Sequence, residues 1–515
     1  MESVEGQPLG RNVVTYLLEQ GHTTITSHST SDTRYAEDPY SLSKWVLGQQ
    51  VNAFVVSIGL DHLPERFLSA MTLDLKQLAR LADWEAVAVA VALPWSTSAT
   101  AILLVVWLVT LIPTLDFAAI WREIKTPAGG LPVLLWVLAV FGMLWADVSW
   151  SDRVAGLRGF HRLLMIPLLL AHFRRAETGR LVLYGFLASA SVLLLASWAL
   201  ALGLMSWQPS HHPKNGVVVH DDIAQSTIFL ICSFALIWPM PELLLKGHWR
   251  KALGAVGWAA LFLANLVFVA VSRADVVVIP VLVVLLGWRW FGVKGAINAS
   301  VAAVILAGAA WFGSPYLRAR VQQAINDVQI YRTAHVHNDV GDHIEFIKKS
   351  FAFVREAPVI GHGTGSIPDL FRRSTLGQTG AAAVSSVNPH NQILAVAIQL
   401  GLVGATVLLA MWVAHYCLFR ESDLTAWIGT VVVVENAVSS LSSSHLFDFV
   451  HGWLYVLGVG IVGGMARGNG HGAGIARSRR PEQKECSRFS THQNSYLGVG
   501  ITRCDKQLRP FNKDS

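Results

Sequence analysis

Residues 341–404 read GDHIEFIKKSFAFVREAPVIGHGTGSIPDLFRRSTLGQTGAAAVSSVNPHNQILAVAIQLGLVG. The stretch turns midway from polar, Gly-rich and His-rich to continuously apolar, and that turn decides the fold. The polar part closes the one long polar insertion of the chain. The apolar part opens another helix of membrane length. In the polar part Asp342 followed by Glu345 has the spacing of a capping box. Ile344, Ile347, Phe351 and Val354 then share a helical face. Pro358 stops that helix, and residues 361–365 form a glycine-rich loop. There Gly361 and Gly363 either make a tight turn between helices or bring bare backbone to a ligand; the spacing matches no phosphate loop. In the apolar part Asn388 is expected to cap a helix with Pro389 at its first position. His390 then falls in the first turn, beside Asn391, of a helix running on to Val413. The positive end of a helix disfavours imidazolium and favours a neighbouring anion such as a diphosphate. His390 therefore reads as an available neutral base, or else as an interfacial histidine bonded to Asn388 or lipid.

Outward from this stretch the chain reads as membrane protein. Of its 515 residues 53% are hydrophobic and only 14% charged, with a mean hydropathy of +0.45. Such a composition belongs to multi-span helical proteins and excludes an ordinary soluble globule. The net charge of +6 is spread over loops and tail and gives no reason to invoke nucleic acid. Cys232, Cys417, Cys486 and Cys504 form no CxxC pair, so neither a disulfide framework nor a zinc site is indicated. Apolar segments recur near 82–96, 99–115, 131–148, 156–173, 180–206, 222–241, 251–272, 274–290, 294–313, 388–417, 424–442 and 448–466.

The expected fold is an all-α integral membrane protein of about twelve transmembrane helices with a large periplasmic loop between spans 9 and 10. Residues 1–80 are expected to be a polar, disordered cytoplasmic extension and 81–313 to hold the first nine spans. Residues 314–387 are then the catalytic loop, 388–466 the last three spans, and 467–515 a disordered cytoplasmic tail. Met71, just ahead of the first span, is a second candidate for the start of translation. Orientation follows from positive charge in short loops. Arg122 and Lys125, Arg174, Arg175 and Arg180, Lys246, Arg250 and Lys251, and Arg289 and Lys294 mark alternate loops as cytoplasmic. That leaves 314–387 outside.

Charges at membrane edges are costly and are candidates for function. Arg273 with Asp275 stands between two apolar runs; Arg158, His161 and Arg162 share a helical face near Arg153. These arginines are read either as substrate contacts or as side chains snorkelling to the interface. His220, Asp221 and Asp222 are expected to cap the sixth span, and Glu435 to pair inside the bundle. His445, Asp448 and His451 are metal-ligand types without a recognised spacing, so no metal is expected.

NPHNQILAVAIQLGLVG (388–404), preceded by EAPVIGHGTGSI (356–367), resembles the signature of the O-antigen ligase family, which is related to O-antigen polymerases and O-linked bacterial oligosaccharyltransferases. The resemblance covers roughly residues 80–466. It implies a polytopic membrane fold in a bacterial inner membrane, with the active site facing the periplasm. It also implies metal-independent, inverting transfer of a glycan from undecaprenyl diphosphate to a lipid A-core sugar hydroxyl, with no cofactor. By the same resemblance His390 would be the base, Arg273 would hold the diphosphate, and Asn391, Gly361 and Gly363 would bind substrate; Arg158 and Arg162 join them as substrate-binding candidates from their own charge cluster, which reads equally as a solvated interface patch. Relatives carry an arginine near the start of the helix before the Pro-x-x-Gly-x-Gly segment. This chain has His343 there, so the second phosphate contact falls to His343 or to one of Arg332, Lys348, Lys349, Arg355, Arg372 and Arg373. A polymerase or a ligase acting on protein shares donor and chemistry and differs in acceptor. A transporter fits the span count but not the gathering of polar residues in one outer loop.

Overall fold

The computed structural model describes residues 75–468 apart from 177, 206–215, 220, 271 and 336. The expectations for most of 1–80, for the tail beyond 468 and for His220 lie outside the described residues. All described secondary structure is helical. The α-helices are α1 (Leu75–Ala92), α2 (Thr97–Leu111), α3 (Phe117–Ile124), α4 (Pro127–Gly142), α5 (Trp150–His161), α6 (Met165–Phe173), α7 (Gly179–Ala201), α8 (Asp222–Ile237), α9 (Met240–Leu245), α10 (Trp249–Phe268), α11 (Arg273–Gly313), α12 (Pro315–Ala334), α13 (Asp339–Glu356), α14 (Ile367–Ser374), α15 (Gln392–Leu418), α16 (Leu424–Ser439) and α17 (Phe449–Leu457). A π turn at Gly458–Val462 continues α17. Helices start where a small polar side chain accepts from the first free N–H groups: Ser96 for α2, Thr126 for α4, Asp221 for α8 and Asp423 for α16.

Each apolar segment expected from the sequence falls on a helix, but the count of crossings differs. Eight helices among the described residues are long and apolar enough to cross a membrane, or nine if the bent pair α3–α4, which turns by 86°, is one span. Three of the expected spans fall short for physical reasons. α1 carries Lys76, Arg80, Asp83 and Glu85. α4 and α16 have 16 residues each, fewer than the roughly 20 that cover a hydrocarbon core. In α11, 41 residues run as one element broken at Gly292, whose φ of 64° lies in the left-handed region. There the chain doubles back: a Cβ on Gly287 would lie 2.4 Å from the Gly295 carbonyl oxygen and 2.6 Å from the Ala299 Cβ. The two halves of α11 are the segments 274–290 and 294–313, packed as a hairpin.

The main core runs through the bundle and includes Trp107, Phe160, Phe229, Phe234, Trp427 and Tyr455. Trp238 stacks on Trp427 with ring centroids 5.1 Å apart. A second, smaller core belongs to the polar insertion. Phe346 and Phe353 of α13 and Ile367 and Phe371 of α14 close over Ala395 and Ile398 of α15. The insertion is thereby folded onto the start of α15. The buried face of α13 is the one through Phe346, Ser350 and Phe353, not the expected face through Ile347 and Phe351, which are exposed. Three aromatic rings meet edge to face on the buried side. Their larger apolar area decides which side faces in.

Candidate active site

α15 is broken at Gly401, with φ 64° and ψ −165°, and the glycine-rich loop fits into the break. His362 N donates to Ile398 O at 2.8 Å and Gly363 N to Gln399 O at 2.9 Å. Gly365 N donates to the Gln399 side chain at 2.9 Å, and the Thr364 hydroxyl to Ala139 O of α4 at 2.6 Å. A Cβ would come within 2.5 Å of Gln399 backbone at Gly361 and within 2.5 Å of Ala146 at Gly363. Gly361 and Gly363 let three backbone segments meet. Gln399 is a residue the sequence reading passed over, although a glutamine in an otherwise apolar run was the available signal.

The loop leaves the first turns of α15 firmly seated, and there the local geometry corrects the expectation. The cap of α15 is Asn391, not Asn388: Asn391 Oδ1 accepts from Leu394 N at 3.0 Å. Asn388 Oδ1 accepts instead from His390 N at 2.9 Å, an Asx turn. His390 therefore stands just before the helix, not in its first turn, at a φ of 53°. A non-glycine residue held in that region carries strain and marks a place that the surroundings over-determine. The other side of Asn391 is also taken, because Nδ2 donates to Leu441 O at 3.0 Å. Gln392 N donates to Ser440 O at 2.9 Å. Asn391 thus positions His390 by capping and tethering.

His390 lies on α13. Its ring is stacked on Phe346 at 5.7 Å with 17° between planes and lies 4.4 Å from the His343 ring. His343 and Phe346 are three residues apart and so lie on one helical face. The helix under them begins four residues earlier than expected, at Asp339, with Asn338 as its cap in place of Asp342. Asp342 pairs with His337 at 2.6 Å, and Glu345 with Lys348 at 3.1 Å and with Tyr331. Burial and then the neighbouring His343 push the His390 pKa down from 6.5 to about 4. The imidazole is neutral at pH 7, as expected, but mainly through burial and not through the helix end.

The remaining candidates divide. Lys349 donates to Ala382 O at 2.6 Å and ties down the chain before His390. Arg372 and Arg373 pair with Asp369, and Arg373 reaches Asp147 at 3.4 Å. Arg162 is buried, with its guanidinium on the carbonyls of Phe447, Asp448 and Phe449. It therefore holds the start of α17. Arg158 is exposed. Arg273 is the first residue of α11, behind the cap Ser272. Two residues on, Asp275 is buried within electrostatic range of His451. The start of α11 therefore adjoins Glu435, expected to pair inside the bundle, and His445, Asp448 and His451, read as metal-ligand types without a recognised spacing.

These features define a class: a multi-pass helical membrane protein in which a strained, neutral histidine stands at the head of a broken helix beneath a folded polar insertion. Residues 258–409, from α10 through the insertion to the middle of α15, match the family model described as O-antigen ligase. The match takes in the NPHN and EAPVIGHGTGSI segments and agrees with their resemblance to that family. No curated protein matches the sequence. The family is one of membrane glycosyltransferases that move lipid-linked glycans.

Proposed function

We propose that this protein transfers a glycan from undecaprenyl diphosphate to a sugar hydroxyl of the lipid A core at the periplasmic face of the inner membrane. The observation that carries this reading is the His390 ring, held neutral in a left-handed turn against His343 and Phe346. A neutral sugar hydroxyl is a weak nucleophile, so a base must take its proton. His390 accepts that proton as the hydroxyl oxygen bonds to the anomeric carbon. The bond from that carbon to the diphosphate breaks, its electron pair leaves with the polyprenyl diphosphate, and the carbon inverts. Arg273 and His343 neutralise the charge that develops on the leaving group, arginine by its planar fork. No step calls on a metal ion.

A base with a pKa of about 4 is weak for this task. A bound diphosphate corrects that, since a nearby anion raises the pKa of an imidazole. His390 thus becomes a competent base once donor is in place, which keeps proton abstraction coupled to donor binding.

A gel of lipopolysaccharide from a clean deletion strain, complemented with wild type or His390→Ala, tests the reading. Loss of both the ladder and the single-repeat band, restored only by wild type, is expected. A retained single-repeat band makes the protein a polymerase. An unchanged pattern moves the acceptor to another glycan or to protein.

A further inference from the structure

We propose that His445, Asp448 and His451 form a binding site for a divalent transition-metal ion of the zinc class. His445 lies in the segment between α16 and α17, Asp448 caps α17, and His451 is in the first turn of α17. The cap and the histidine three residues on share a helical face, and the segment brings His445 back over them. Each residue offers one ligand atom, and these atoms all lie within 4.8 Å of one another. The two imidazole rings are 4.1 Å apart, and only 1% of His445 and 2% of His451 is exposed.

What points to a ligand is the unmet hydrogen bonding. His451 Nδ1 lies 2.9 Å from Asp448 Oδ2, close enough for both atoms to flank one ion; the far nitrogen of the ring is Nε2. That atom and both ring nitrogens of His445 are buried without a hydrogen-bond partner among the described residues. Buried polar groups are nearly always satisfied, and each exception needs a reason. A metal ion supplies one, since it bonds to imidazole lone pairs that nothing else reaches. Two imidazoles and a carboxylate are a zinc-type ligand set that keeps a fourth position open, whereas calcium and magnesium prefer all-oxygen sites. The surroundings favour a cation as well: Asp275 and Glu435 both lie within electrostatic range of His451. Arg162, which faces Asp448, is held on backbone carbonyls.

The ion sits outside the transfer step but next to its scaffold. The segment bearing His445 is bonded to the head of α15 through Leu446 N to Gln392 Oε1 at 2.9 Å, and through the Ser440 and Leu441 carbonyls to Gln392 and Asn391. A metal at the cluster would clamp that segment and, through it, the turn that carries His390.

The test uses the full chain in detergent, its affinity tag removed, stripped with chelator and titrated with Co2+ and then Zn2+. A single equivalent of Co2+ with the visible spectrum of a His-ligated ion, displaced by Zn2+, is expected. His445→Gln and His451→Gln should weaken binding by more than about 100-fold, beyond what loss of an outer-shell partner costs. The exposed His248→Gln should leave it unchanged. Zn2+ should raise the unfolding temperature of wild type and not that of His451→Gln. Wild-type titration decides the matter even if a variant does not fold. No Co2+ spectrum in the intact wild-type chain, or equal binding by a double variant that elutes as folded protein, overturns the proposal.

Discussion

The two ends of the helical bundle treat their buried charges differently. At the end where α3 and α6 finish, three acids have found a base. Glu123, nearly fully buried, is gripped by Arg174 at 3.0 Å and by Arg467. Asp83 pairs with His172 at 2.7 Å, and Asp116 with Arg175 at 2.7 Å. At the end where α8, α11, α15 and α17 begin, the ring nitrogens of His445 and the far nitrogen of His451 are buried without hydrogen-bond partners among the described residues. There His390 is strained and stripped of its usual basicity. A low-dielectric interior makes a completed network rigid and an incomplete one costly. Paired charges at one end therefore read as architecture, and unmet ones at the other as chemistry.

The comparison breaks most easily at His390. His390→Ala should reduce transfer by about 10²–10⁴-fold, the span of a positioned general base, with abundance and thermal unfolding unchanged. Transfer at wild-type rate, read from the lipopolysaccharide gel or an in-vitro assay with lipid-linked donor, would collapse the division between the ends. Next comes the scaffold. Gly401→Ala asks for a left-handed alanine whose Cβ lies 2.1 Å from Val359 O. It should cost at least about 2–4 kcal/mol, combining positive-φ strain with overpacking. The check is thermal unfolding in detergent, where an unchanged midpoint would show that the clip is not structural.

Glu123→Ala sharpens the paired end. It leaves Arg174 and Arg467 without their acid, and a loss of about 1–3 kcal/mol in stability is expected because both arginines keep some access to solvent. Activity per folded molecule should be unchanged. A fall in turnover without a fall in stability would place function at the wrong end.

The smallest effect is in pH. His390 is neutral above its folded pKa of about 4, against 6.5 unfolded. Between those values the unfolded chain binds the extra proton, so this residue lowers stability as pH falls from about 6.5 towards about 4 and has no effect above that window. The acid limb of kcat/KM should lie near pH 4, and the limb of kcat higher, because bound diphosphate raises the base. Coincident limbs in the two profiles would remove the coupling between donor binding and base strength.

Much of this was legible in the sequence, for identifiable reasons. Hydropathy over about 20 residues locates helices because a bilayer demands that length. Every expected segment falls on one, although among the described residues only eight helices, or nine with the bent pair, meet the length and hydropathy of a crossing. The NPHN segment announced a capped helix with a histidine at its head. Its register was not legible. Asn388 and Asn391 are both good caps, and the choice went to Asn391 once its other side could bond Leu441. The buried face of α13 was misread for a similar reason: Ile347 and Phe351 have helical spacing, but Phe371 and Ile398 exist as packing partners only on the side of Phe346 and Phe353.

The sequence by itself determined that this chain is a helical membrane protein and that a histidine, His390, stands at the head of a capped helix, since apolar run length and local capping chemistry are properties of neighbouring residues. Only the tertiary structure decided which groups meet His390, that Gly292 folds α11 back on itself, and that His445, Asp448 and His451 converge. Those outcomes depend on contacts between distant segments. Whether a buried polar atom is satisfied is settled only when its neighbours from other helices arrive.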